Sequence, residues 1–152
     1  MPGEVLMTSG SDHRLRTPLP AATWSYLTRA REALAEAATT TEATRRYAAS
    51  HMAALRATAA LLAVRTRPSS RRGQRNAWVL LAQVAPEMEE WAAFFAAGAG
   101  KRAAAEAGLT RLVSARDADD LLRDAERFLA VVERALGVPY QQSFPGPAAR
   151  AS

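Results

Sequence analysis

The stretch that decides the fold is SARDADDLLRDAERFLAVVERAL, residues 114–136. Apolar residues recur through it at alternating spacings of three and four, which is typical of an amphipathic α-helix with one continuous seam. The expected seam residues are Leu122, Ala125, Leu129, Val132 and Leu136. Ser114 and Asp117 have the spacing of a capping box, with aspartate in place of the usual Glu or Gln. Since Gly137 and Pro139 are stop signals, this stretch predicts a last helix.

Upstream of this stretch, the same periodicity predicts a first helix at about 21–38 and a longer second helix at about 42–66. The expected apolar stripe of the first helix is Trp24, Leu27, Ala30, Leu34 and Ala37. The expected stripe of the second helix is Ala48, Met52, Leu55, Ala59 and Leu62.

Proline and glycine divide the segment between the second and last helices. A third helix is expected to start near Gln74 and to break at Pro86, which cannot continue helical hydrogen bonding. Glu87, Glu89 and Glu90 then suit the first turn of a new helix, where the dipole favours acids, and we interpret them as structural. Trp91, Phe94 and Phe95 are expected to supply the core contacts of that helix. A short helix is expected at 101–107, after Gly98 and Gly100.

Composition supports an all-α fold. The chain of 152 residues contains 36 alanines and no isoleucine, and no segment alternates as a strand would. We therefore predict one compact bundle of four to five helices over residues 21–138, with disordered tails at 1–20 and 139–152. There is no cysteine, which excludes disulfides and thiolate sites. The apolar runs are too short to cross a bilayer, so we expect no membrane association and a cytoplasmic protein.

Basic residues are concentrated in one segment. The chain carries a net charge of +5, and 19 of its 20 basic residues are arginine. Between residues 45 and 75 there are eight arginines and no acidic residue. Five of them cluster from the end of the second helix into the turn after it and are the predicted RNA-binding residues: Arg65, Arg67, Arg71, Arg72 and Arg75. Such a cluster attracts phosphates, although no aromatic residues alternate with it to stack bases, and a solvated loop is the alternative.

Two residues of the second helix are candidates for catalysis. A histidine can move the proton of a ribose 2′-hydroxyl, and a nearby arginine can stabilise the negative charge that develops on phosphorus, without a metal. Arg46 precedes His51 by five residues, which places their side chains about 140° apart on a helix. They would therefore share a site only at a helix edge or across a dimer interface. The alternative is that His51 is a hydrogen-bonded packing residue.

Other catalytic templates do not match the sequence. His13 lies in the expected tail, so a histidine-rich metal site is not predicted. The residues from Gly98 to Lys101 differ from a phosphate-binding loop, because the first glycine and the hydroxyl residue of that motif are missing.

Several segments together resemble an actinobacterial branch of the HEPN superfamily (higher eukaryotes and prokaryotes nucleotide-binding). They are Arg46–Arg56, Ala77–Leu81, Ala85–Ala92 and Asp119–Leu122. The resemblance covers about residues 21–138. It implies a helical bundle that forms homodimers. In active members of the superfamily, an arginine is followed by four to six residues and then by a histidine, and Arg46 and His51 fit that spacing.

The resemblance also indicates a function. It implies RNA binding, with metal-independent ribonuclease activity in a toxin–antitoxin, defence or RNA-processing context, and with no cofactor. A cognate antitoxin or a nucleotidyltransferase is the implied protein partner. The alternative hypothesis is a non-catalytic helical adaptor that dimerises and binds an acidic protein.

Overall fold

A computed structural model describes residues 18–66 and 76–138. Those residues form six α-helices: α1 (Ala21–Thr39), α2 (Ala43–Arg65), α3 (Ala77–Val84), α4 (Glu89–Ala97), α5 (Ala99–Glu106) and α6 (Ala115–Leu136). Short 3₁₀ turns lie at Pro86–Met88 and Thr110–Leu112. The described residues contain no strand. The predicted all-α bundle is therefore confirmed, and the breaks expected at Pro86 and Gly98 divide its middle segment into three short helices, which brings the number to six.

The predicted helix boundaries agree closely with the structure. Ser114 Oγ accepts a hydrogen bond from the Asp117 amide, and the Asp117 carboxylate accepts one from the Ser114 amide, so the capping box is complete. Gly137 ends α6 with φ +75°, a left-handed conformation that glycine adopts without strain. Pro86 breaks the chain between α3 and α4, as predicted. The start expected near Gln74 and the two tails, apart from residues 18–20, lie outside the described residues.

Helix α2 is the centre of the bundle, and its predicted apolar stripe is wrong. It packs against α1, α3, α5 and α6. All five stripe residues are only half-buried. The buried residues lie on the opposite side of the helix: Tyr47, Ala49, Ser50, His51, Ala53, Ala54, Ala57, Thr58, Ala60 and Leu61. Because six of these ten residues are alanine or serine, neighbouring helices can approach α2 closely. The covered side therefore carries few large apolar residues, and the apolar periodicity of the sequence does not identify it.

Three smaller corrections concern α1, α4 and α6. In α1 Thr23 is buried instead of Trp24, because its hydroxyl donates to the Ala60 carbonyl oxygen at 2.9 Å. In α4 only Phe95 of the three aromatics is fully buried, since Trp91 is partly covered and Phe94 is exposed. In α6 the seam includes Leu121 and Phe128, whereas Leu122 and Leu136 are half-buried.

An aromatic cluster fills the core where α3, α4 and α6 meet α2. Trp78 and Phe95 stack with centroids 5.1 Å apart, and Phe95 also lies 5.2 Å from Phe128. Trp91 also stacks on Phe95, with a centroid distance of 5.9 Å. Since aromatic rings bury more area than any other side chains, this cluster fixes the positions of the short helices α3 and α4.

Candidate functional site

The side chain of Arg46 holds three helices together. Its guanidinium donates to the Ala37 carbonyl oxygen at 2.9 Å and to the Thr40 carbonyl oxygen at 2.5 Å, both at the C-terminal end of α1. It also donates to the Asp119 carboxylate on α6 at 2.7 Å. Asp119 therefore turns toward α2, whereas the neighbouring Asp120 pairs with Arg123. Arg46 satisfies helix carbonyls that would otherwise lack donors.

The imidazole of His51 is buried between α2, α3 and α4. The residue is 1% exposed, and its ring meets Trp78 and Phe95 edge-on at centroid distances of 5.7 and 5.9 Å. Nε2 lies 3.2 Å from the Phe95 carbonyl oxygen, and because a carbonyl only accepts, Nε2 carries the proton. Nδ1 of the neutral ring is buried with no hydrogen-bond partner among the described residues.

The charge of His51 follows from this burial. Burial lowers the pKa of the imidazole below its usual value, and the positive charge of Arg102 acts in the same direction. The hydrogen bond to Phe95 and the charge of Glu106 act in the opposite direction without reversing the shift. The imidazole is therefore neutral at pH 7.

The described residues do not bring Arg46 and His51 together. Arg46 points toward the α1 terminus and Asp119, whereas His51 points into the aromatic cluster. This agrees with the angle of about 140° expected for residues five apart on a helix. The geometry of His51 matches the alternative interpretation, a hydrogen-bonded packing histidine. A catalytic role for the pair stays a prediction.

A cavity of about 260 Å³ lies beside His51. Its lining residues are Tyr47, His51, Phe94, Phe95, Ala97, Gly98, Lys101 and Leu121. Gly98 allows a close approach at the junction of α4 and α5, because a Cβ there would lie 3.2 Å from the Tyr47 hydroxyl and the phenol would have to shift. Burial, together with the negative charge of Asp117, raises the pKa of Tyr47, so its phenol stays protonated. Lys101 is the only cationic side chain among the lining residues.

The predicted RNA-binding residues are only partly within the described chain. Arg65 lies at the end of α2 and pairs with Glu87 at 2.8 Å, and that hydrogen bond lowers the pKa of the Glu87 carboxyl. Arg67, Arg71, Arg72 and Arg75 lie outside the described residues. No carboxylate of the described residues lies within ion-pair distance of Arg45 or Arg56, the other two basic residues of α2.

Sequence reasoning missed two residues at this site. Phe94 was predicted to be a core residue, yet it is 45% exposed and lines two cavities. Lys101 was considered only as part of a rejected phosphate loop. The signal that could have found Phe94 is its place one residue before Phe95, because the two side chains point about 100° apart and a helix with a narrow buried side covers only one of them.

The described residues contain neither a metal-binding cluster nor a membrane-spanning helix. No group of three or more His, Cys, Asp or Glu residues there could hold a metal ion. No helix within residues 18–66 or 76–138 has the length and apolar character that a membrane span requires.

Comparison with known proteins identifies the family. A family model described as HEPN_SAV_6107-like HEPN matches residues 37–133, more than half of the chain. The match runs from the last turn of α1 through most of α6, and so contains Arg46, His51 and the cavity beside it. No curated protein and no solved structure matched the chain. The chain belongs to the SAV_6107-like HEPN family.

Proposed function

We propose that this HEPN domain binds RNA through a basic surface that includes the outer side of α2. The observation that carries the proposal is the charge of residues 43–86, which contain eight arginines and no acidic residue. Such a segment attracts the phosphate backbone without needing a particular base sequence. The segment supplies four arginines from α2 itself and four from residues 67–75.

Two arginines of α2 are placed to contact phosphates. Arg45 and Arg56 are eleven residues apart, about three helical turns, so they lie on the same side of α2 and roughly 16 Å apart along its axis. Arg45 is exposed on that side, and Arg56 is half-buried, so neither lies among the buried residues of α2. Guanidinium groups without a carboxylate partner bind phosphate oxygens through two parallel hydrogen bonds.

Replacing Arg45 and Arg56 by glutamine is expected to weaken binding to a labelled single-stranded RNA. The matched control is Arg116→Gln with Arg123→Gln, which removes the same charge from exposed positions on α6. Fluorescence anisotropy at several salt concentrations measures the dissociation constants. Equal weakening in both double variants would show that only net charge matters, and would contradict the assignment to α2.

The alternative function, an adaptor for an acidic protein, gives the opposite result in the same assay. An adaptor would bind an acidic peptide such as polyglutamate as tightly as the RNA-binding proposal expects the protein to bind RNA. It would show no salt-dependent binding of RNA.

The biological context also stays a proposal that rests on the resemblance. It comprises a toxin–antitoxin, defence or RNA-processing role and an antitoxin or nucleotidyltransferase partner.

Metal-independent cleavage of RNA is a second candidate function. It is favoured by the position of His51 in the wall of a cavity beside Lys101, with a neutral imidazole that can accept a proton. In this candidate His51 is the proton-transfer group and Arg46 the phosphate stabiliser. Arg46 would have to leave its three partners, or be supplied by a second copy in the homodimer that the resemblance implies.

This candidate predicts that purified protein degrades mixed RNA in EDTA. His51→Asn and Arg46→Gln should each abolish the activity, while circular dichroism confirms that both variants are folded. If the wild type leaves the RNA intact, or if all three proteins degrade it equally, the catalytic role of the pair is refuted.

A further inference from the structure

Phe94 is an exposed aromatic ring between two cavities of opposite charge. The first is the cavity beside His51, whose lining carries the positive charge of Lys101. The other has a volume of about 300 Å³ and is lined by Glu90, Trp91, Phe94 and Asp124. This volume lies at the lower end of the range for small-ligand sites, roughly 300–1,000 Å³. The ring of Phe94 therefore separates a cationic side from an anionic side.

The core below holds the Phe94 ring in place. Phe95 contacts it edge-on with a centroid distance of 5.0 Å, and Trp91 does so at 6.4 Å. Both supporting rings belong to the aromatic cluster that fixes α4. A rigid aromatic surface loses little conformational entropy when a flat ligand stacks on it, so exposed rings of this kind bind nucleobases well.

The charged groups on both sides are accessible. The Lys101 side chain is 42% exposed, and its one ion pair among the described residues is with Asp117 at 3.3 Å. The Asp124 side chain is 27% exposed and pairs with the exposed Arg127 at 3.3 Å. Solvent-accessible pairs of this kind contribute little to stability, so a ligand can replace them at small cost. The carboxylates repel phosphates, which restricts a nucleic acid backbone to the Lys101 side.

From this arrangement we infer that Phe94 stacks an unpaired base of single-stranded RNA. Lys101 binds the adjoining phosphate, and the Asp124 carboxylate accepts a hydrogen bond from an exocyclic amino group of the base. Adenine and cytosine carry such a group, whereas uracil presents carbonyl oxygens at the corresponding position. The inference rests on the proposed RNA binding and adds two properties to it: a preference for single strands, and a preference for amino-bearing bases over uracil.

The test compares oligo(A), oligo(C), oligo(U) and an RNA duplex in anisotropy titrations. Phe94→Ala is expected to weaken binding of oligo(A) and oligo(C) roughly tenfold, the usual effect of losing one stacking platform. Duplex binding should not change, because paired bases cannot reach the ring. Phe94→Tyr should restore the affinity. Asp124→Asn should reduce the preference over oligo(U), which provides a second variant if Phe94→Ala does not fold.

The control is Trp24→Ala, which removes an aromatic residue that is equally exposed, at 45%, on α1. It should leave every affinity unchanged. The inference is overturned if Phe94→Ala affects single strands and duplex equally, if it affects neither, or if Trp24→Ala has the same effect. If the wild type binds no RNA at all, the proposed function fails as well, so the two failures are distinguishable.

Discussion

Replacing Phe95 by alanine is expected to lower the free energy of unfolding by about 3–5 kcal/mol, the usual cost of truncating a buried aromatic side chain. Phe95 is 1% exposed, and its ring contacts four aromatic side chains and one imidazole. They are Trp78, Trp91, Phe94, Phe128 and His51, with centroids between 5.0 and 5.9 Å away. No neighbouring helix can fill the resulting cavity without moving several of these rings. Urea unfolding followed by circular dichroism measures the loss.

The adjacent residue is the matched control for this prediction. Phe94→Ala removes the same side chain from an exposed position, and we expect a loss of roughly 1 kcal/mol or less, as for most surface substitutions. A similar loss in both variants would mean that the aromatic cluster does not hold α4 to the bundle in the way described.

The second large effect is expected from Arg31, which links α1 to α6. Its guanidinium pairs with the Glu133 carboxylate, whose side chain is 8% exposed. Arg31→Met would leave this carboxylate buried without a partner, which costs about 3 kcal/mol when one member of a buried pair is removed. The double variant with Glu133→Met should recover much of that loss, because well-packed apolar residues can replace a buried ion pair.

A double-mutant cycle in urea tests this prediction, with Arg102→Met as the comparison. Arg102 pairs within α5 with Glu106, whose side chain is 45% exposed, and its loss should cost about 1 kcal/mol or less because water can solvate the carboxylate that remains. If Arg31→Met costs no more than Arg102→Met, or if the double variant is no more stable than Arg31→Met alone, the buried pair does not stabilise the contact between α1 and α6.

The sequence predicted the helices better than it predicted which of their sides are buried. Helix α6 could be located from its capping box and its glycine stop, because these signals are local. The buried side of α2 could not, since α2 contacts four helices and presents alanine in nearly every direction. Its half-buried stripe, which includes Met52 and Leu55, has the same spacing as a core seam, so only the positions of neighbouring helices distinguish the two.

The candidate site was predictable only in part. The spacing of Arg46 and His51 identified two residues with specific environments, but not the partners of their side chains. Asp119 is distant from Arg46 in the sequence, and the two carbonyls that Arg46 binds belong to the backbone. Neither kind of partner leaves a pattern in the sequence. The proximity of Phe94 to Lys101 depends on the tight turn at Gly98, where α4 passes into α5.

The salt dependence of RNA binding tests the central claim most directly. Each phosphate that a protein neutralises on a single strand contributes about 0.7 to the slope of the logarithm of affinity against the logarithm of salt concentration. If Arg45 and Arg56 each contact a phosphate, replacing both by glutamine should reduce the slope by about 1.4. The control pair Arg116 and Arg123 should leave it unchanged. An unchanged slope in the Arg45/Arg56 variant would contradict the assignment of the RNA-binding surface to α2.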